Sequence, residues 1–247
     1  MVIGFTGGAL GALLGVGGGV ILVPGLLLIS GFEFRNAVAA SLVCVVATSV
    51  ASSVVFVKRG LADLPLATEL QFFTVCGAVG GGLIAAHIPS APLYLAFSAL
   101  LVYLSMRMWP RRPQSSGRSD PAPAVERHAH AAAGSLGAGF ASGLLGIGGG
   151  VLNMPVLHLL LGREFDEAVP TSAYMIGITA AAGALVYSVR GDLPVDAVGL
   201  AMIGTLVGAR VAAYVRGWFN QRALKMLFVS LLLYGAYRMG TNGLAQF

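Results

Sequence analysis

Two stretches of this chain are rich in backbone groups that a regular helix cannot use. Gly15 to Pro24 reads Gly-Val-Gly-Gly-Gly-Val-Ile-Leu-Val-Pro, and Gly146 to Pro155 reads Gly-Ile-Gly-Gly-Gly-Val-Leu-Asn-Met-Pro, an offset of 131 at every position. Each glycine costs a helix interior about 1 kcal/mol against alanine, and proline lacks the N–H that a helix interior needs. A helix broken there turns free N–H groups and a positive dipole end toward whatever lies beyond the break. That arrangement suits an oxyanion and requires no charged side chain. Gly17, Gly18, Gly19, Gly148, Gly149 and Gly150 are therefore expected to line a substrate site. The competing reading is close helix packing of the small-xxx-small kind. It fits the spaced Gly4, Gly8, Gly11 and Gly15, whereas contiguous glycines give no helical stripe.

Polar side chains near the breaks extend the expected site. Ser41, Thr171 and Ser172 are hydroxyl donors early in the segments that follow the two motifs, and Asn153 is an amide inside an apolar run. The alternative for the hydroxyls is a bond back to the carbonyl of their own helix; for Asn153 it is interhelical adhesion. Arg210 sits in an apolar segment, where an arginine is by default a functional candidate. Arg216 lies only six residues on, so Arg210 also has the option of reaching to the interface. Lys58, Arg59 and Arg190 read first as topology signals, and Cys44, Cys76, His87 and His158 as packing or interfacial residues.

Composition sets the element that must position these residues. The chain has 247 residues, 57% hydrophobic and 10% charged, with a mean hydropathy of +0.84. Soluble domains carry about 25% charged residues, so this is an all-α polytopic membrane protein whose bulk partner is the lipid bilayer. Its net charge of +5 reports orientation rather than a nucleic-acid partner. The first apolar run has no basic leader before it, so no signal peptide is expected. Residues 3–30 exceed what one straight helix needs to cross about 30 Å of hydrocarbon; broken at the glycines, they give two half-helices, re-entrant or discontinuous. Residues 37–57, 63–87 and 93–109 are expected to span, and 111–131, with Pro113, Pro121 and Pro123, to be a cytoplasmic linker.

The pattern then repeats, dividing the chain into a first repeat (1–110), the linker and a second repeat (132–247). Ser41 matches Ser172 and Arg59-Gly60 matches Arg190-Gly191 at the same offset. Asp63-Leu-Pro65 matches Asp192-Leu-Pro194 after a two-residue deletion; further on, Gly77 and Gly81 are matched with Gly204 and Gly208, and Arg210 stands where the first half has Leu83. Orientation follows from basic residues in short loops. If each motif segment re-enters, each half spans three times and the halves are inverted. Lys58, Arg59, Arg107, Arg163, the linker arginines and the Arg216–Lys225 loop then share one side. Arg35, Arg190 and Arg238 remain on the other. Parallel halves divide the basic residues more evenly, so inverted repeats are expected.

The motif from Gly7 through Gly-Val-Gly-Gly-Gly to Pro24, its second copy from Gly139 to Pro155, and the sequels Ala-Val-Ala-Ala-Ser41 and Ala-Val-Pro-Thr-Ser172 resemble the signature of the sulfite exporter TauE/SafE family. The resemblance covers residues 4–240. It implies a bacterial inner-membrane permease that exports sulfite, sulfoacetate or related sulfur-containing anions by alternating access. Asn153 stands where the first copy has Leu22, so the two halves need not contribute equally to a site. The chain has no His-Glu-x-x-His, no Gly-x-Ser-x-Gly and no Walker loop, so neither an enzyme nor an ATP-driven pump is expected. No cofactor or metal is called for, no carboxylate lies deep in a span, and a homodimer is left open.

Overall fold

The computed structural model describes residues 1–108, 124–215 and 221–244. Among them the chain is helical throughout. The first repeat comprises α1 (Val2–Leu14), α2 (Gly19–Ser30), α3 (Phe34–Lys58), α4 (Leu64–Ala85) and α5 (Ser90–Met108). The second comprises α6 (Ala124–Leu145), α7 (Gly150–Pro155) continued by a π-helical turn over Val156–Leu160, α8 (Phe165–Val189), α9 (Val195–Val215) and α10 (Gln221–Leu244). Among the described residues, four stretches are long and apolar enough to cross a membrane: Phe34–Lys58, Leu64–Ala85, Glu167–Val189 and Val198–Val215. Residues 111–123 of the expected linker lie outside the described residues, and α6 already occupies 124–131.

The motif segments break where the glycines are. Gly15 closes α1 with φ 69°, and Gly17 and Gly18 have φ 79° and 81°; Gly146, Gly148 and Gly149 repeat this with 74°, 82° and 77°. Only glycine adopts such φ values routinely. The two arms then fold back on each other. Ile3 lies against Gly25, Gly7 against Leu22, and Gly11 against the backbone of Gly18. The sequence numbers climb on one arm as they fall on the other, so α1 and α2 form a helical hairpin. In the second repeat Gly134 faces Val156 in the same way. Pro24 lies within α2, which stays α-helical to Ser30, whereas the turn after Pro155 widens to a π-helix.

Each hairpin is strapped to the opposite half. A Cβ on Gly4 or Gly8 would fall on the carbonyl of Ala201 or Thr205, so α1 and α9 run parallel in near-backbone contact. A Cβ on Gly139 or Gly143 would fall on the carbonyl of Thr74 or Ala78, so α6 does the same with α4. Small residues here permit the close approach expected of membrane helices. Between these straps α3 packs on α8, and α5 on α10. Both pairs are antiparallel: Ser49 Oγ donates to Ala173 O while Leu42 meets Gly183, and Ser98 faces Ala236 and Gly240 while Leu101 faces Gly235.

The packing corrects the internal alignment. Helices α2, α3, α4 and α5 begin at Gly19, Phe34, Leu64 and Ser90; α7, α8, α9 and α10 begin at Gly150, Phe165, Val195 and Gln221, all 131 residues later. Gly77 is seated on Leu136 as Gly208 is on Phe5, again 131 apart on both helices. There is no deletion. The counterpart of Gly77 is Gly208, not Gly204, and Arg210 stands opposite Val79 in the repeat. The two aspartates that suggested the deletion do different work: Asp63 caps α4 by accepting from the Leu66 N–H at 3.2 Å, whereas Asp192 pairs with Arg190 at 3.0 Å.

Candidate functional site

The two hairpin apexes meet at the centre of the molecule. A Cβ on Gly19 would lie 2.7 Å from the carbonyl oxygens of both Gly146 and Ile147. Each apex rests on side chains from both long central helices: Gly17 on Ile176 and Val45, and Gly148 on Val45 and Ile176. Val45 and Ile176 are themselves 131 apart and fully buried. Together they form an apolar plug under both breaks.

Serines lock each apex to the other half. Ser41 Oγ donates to Gly146 O at 2.9 Å, and its counterpart Ser172 Oγ donates to Gly150 O at 3.2 Å and reaches Gly15 O at 3.4 Å. Both serines are completely buried. Their hydroxyls are committed to carbonyls of the breaks, so they fix the relative position of the two hairpins. The expected glycines, Ser41 and Ser172 are thus brought together, with Ser41 and Ser172 as clasps.

Asn153 belongs to a separate buried polar cluster on the second hairpin. Neither its Oδ1 nor its Nδ2 has a hydrogen-bond partner among the described residues, although the side chain is 1% exposed. The Cβ position of Gly149 lies 3.6 Å from Asn153 Nδ2, 3.5 Å from Ser142 Cβ and 3.4 Å from Thr179 Cγ2. Thr179 Oγ1 accepts from Gln71 Nε2 at 3.1 Å and lies 3.2 Å from Thr74 Oγ1. Gln71 Oε1 and Ser142 Oγ are buried and unpartnered too. An unpaired buried polar atom costs about 1–3 kcal/mol, and this cluster holds four of them. α4 of the first repeat and α6, α7 and α8 of the second all contribute.

Two expected site residues lie elsewhere. Thr171 Oγ1 donates to Glu167 O at 2.7 Å and accepts from the Asp63 N–H at 3.0 Å; it bonds back into its own helix and ties it to the start of α4. Arg210 is exposed on α9, on a face shared with exposed Val207, Val211 and Tyr214, away from both breaks. Sequence reasoning passed over Gln71, Thr74, Ser142 and Thr179. The available signal was Gln71, an amide between Leu70 and Phe72 in an apolar run.

Among the described residues no cluster of three or more His, Cys, Asp or Glu is placed to hold a metal. Cys44 and Cys76 are both free, the first buried and the second exposed. Arg163 pairs with Asp63 at 2.6 Å, and Arg190 donates to Gly82 O at 3.1 Å.

Comparison with known proteins agrees with the resemblance carried by the glycine motifs. The family profile described as sulfite exporter TauE/SafE matches residues 1–239. The probable membrane transporter protein YunE of Bacillus subtilis (strain 168) is 26% identical over 262 residues, covering 95% of this chain and 94% of that protein. The probable membrane transporter protein MamO of Paramagnetospirillum magneticum is 27% identical over 139 residues, covering 53% of this chain and 21% of that much longer protein. No solved structure matches.

Proposed function

Because the chain belongs to the sulfite exporter TauE/SafE family and is a membrane transporter, we propose that it exports a small sulfur-containing anion, sulfite or an organosulfonate, across a bacterial inner membrane by alternating access. The observation that carries this reading is the meeting of two helical hairpins, apex to apex, each clasped by a serine of the opposite half. Broken helices at a repeat interface are where such transporters hold substrate. In the conformation described, the apexes are closed on Val45 and Ile176. Opening one hairpin and then the other, each on its own side, would expose the central site alternately.

The halves are read as inverted repeats. Three observations support this: the hairpins return to the side they enter, α3 runs antiparallel to its counterpart α8, and α5 to α10. Glu33 and Glu164 are equivalent exposed residues at the starts of α3 and α8. With inverted halves and a cytoplasmic linker, Glu33→Cys should react with an impermeant thiol reagent on whole cells of a Cys44→Ala, Cys76→Ala background. Glu164→Cys should stay silent. Equal labelling of the two would refute inversion.

Export needs no coupling ion on this reading. Moving one charge through 100 mV is worth about 2.3 kcal/mol, which drives an anion out of a negative cell. No carboxylate lies in the central site to relay protons. In liposomes with a valinomycin-set potential and no pH gradient, sulfite flux should follow voltage. A flux that ignores voltage and tracks an imposed proton gradient would overturn the mechanism; no flux of any sulfur anion would overturn the transport reading and leave a scaffold.

A further inference from the structure

We infer that the pocket on the second hairpin, built from Gln71, Ser142, Asn153 and Thr179, is the recognition half of the transport site. It selects ligands that bring a hydrogen-bond donor of their own and carry no more than one negative charge. The inference deepens the transport reading and rests on it.

The donor requirement comes from how Gln71 is held. Its Nε2 donates to Thr179 Oγ1. The single Thr179 hydroxyl proton goes to Met175 O or to Thr74 Oγ1, and Thr74 Oγ1 donates to Gln71 O. With the amide turned over, Thr179 would have to give its proton to Oε1 and leave those acceptors. The unturned amide keeps one more hydrogen bond in this network, which leaves Oε1 as the atom that is buried and without a partner. A carbonyl oxygen accepts only. A fully deprotonated oxyanion also accepts only, so it cannot satisfy Oε1. A ligand with an O–H or N–H can. Asn153 Nδ2 and Ser142 Oγ, both unpartnered, then supply donors for the ligand's acid oxygens.

The charge limit comes from the lining. Gln71, Thr74, Ser142, Asn153 and Thr179 are all neutral. Arg210, the intramembrane cation, lies on an exposed face of α9, not in this pocket. A second negative charge would be desolvated without compensation, which is costly. A monoanion met by several neutral donors fits.

The first hairpin supplies the internal control. At the equivalent positions in and around it stand Met202 of α9 for Gln71, Gly11 for Ser142 and Leu22 for Asn153, while Thr48 of α3 and Thr205 of α9 repeat Thr179 and Thr74. Asn153→Leu thus installs a side chain that the fold already buries at the symmetric site, and Gln71→Met replaces the amide by an apolar side chain of similar length.

The test uses two monoanions of the same acid group, 2-hydroxyethanesulfonate and ethanesulfonate, which differ by one hydroxyl donor. Binding to the purified full-length protein is measured by calorimetry, and flux in liposomes separately. The hydroxylated probe should bind at least tenfold more tightly. Gln71→Met and Asn153→Leu should each reduce that preference to twofold or less, with cooperative melting retained. Equal binding of the probes to the unmodified protein, a preference that survives both variants, or no binding of either probe because water alone fills the pocket would overturn the inference. Flux of sulfonates without a preference breaks this inference and leaves transport standing. A preference in binding with no flux of any sulfur anion breaks the transport reading and leaves the pocket.

Discussion

The two hairpins share a backbone plan and differ in what fills it. In the first, the arms close directly on each other: a Cβ on Gly18 would strike the Gly7 carbonyl, and a Cβ on Gly7 would lie 2.8 Å from Leu22. In the second, the Cβ position of Gly149 meets only side chains, none nearer than 3.4 Å, and one of them is the unpartnered Asn153. One apex is closed backbone to backbone; its counterpart carries buried polar atoms that nothing among the described residues pairs. A duplicated fold can thus keep one copy as a structural stop and convert the other to recognition without moving the backbone.

The strongest way to break this comparison is at the apex glycines. Gly18→Ala adds a left-handed strain of about 1–2 kcal/mol and a backbone clash, for a total of about 3 kcal/mol or more. Gly149→Ala carries only the strain, about 1–2 kcal/mol. Thermal melting in detergent should rank Gly18→Ala well below Gly149→Ala; the same loss in both would make the two apexes equally tight.

Exchanging the side chains between copies should give opposite signs. Leu22→Asn places an amide in a satisfied apolar site, where it should cost about 3 kcal/mol. Asn153→Leu removes an unpaired buried amide, so stability should hold or rise by about 1 kcal/mol. A destabilised Asn153→Leu protein would mean that the amide is already paired within the fold.

The serine clasps should matter less and nearly symmetrically. Ser41→Ala should cost about 1 kcal/mol, and Ser172→Ala somewhat less, since its two bonds are longer. Melting of the two single variants sharpens how evenly the clasp is shared. The smallest effect is expected outside both hairpins: Arg210→Leu should leave flux within about twofold, as befits an arginine that reaches toward the interface. A tenfold fall in flux would return Arg210 to the anion path.

Much of this was legible from the chain. The glycine triplets marked both breaks, because few other residues adopt the positive φ that two glycines of each triplet take, and no uninterrupted helix needs three in a row. Ser41 and Ser172 stood out as hydroxyls early in the segments that follow the motifs; that they hold the carbonyls of the breaks was not legible, because the Gly146 and Gly15 carbonyls they meet belong to the opposite repeat. The pocket was not legible, since Gln71 comes from α4 of one repeat and Ser142 and Thr179 from α6 and α8 of the other; no single segment carries the pattern. The alignment erred because Asp-Leu-Pro recurs as a capping motif whose identity says nothing about packing register. Register is set by which small residue faces which carbonyl, and Gly77 and Gly208 settle it.

The crossed strapping of α1 on α9 and of α6 on α4 has a consequence for how such a molecule is assembled. Each hairpin finds its seat only on the other repeat, so a lone repeat has a strap with no groove and a groove with no strap. If the halves are inverted, two copies of one repeat inserted in opposite orientations satisfy both at once. Joining them in one polypeptide supplies the two orientations in a fixed one-to-one ratio, and only then are the copies free to diverge, one toward a leucine and the other toward an asparagine.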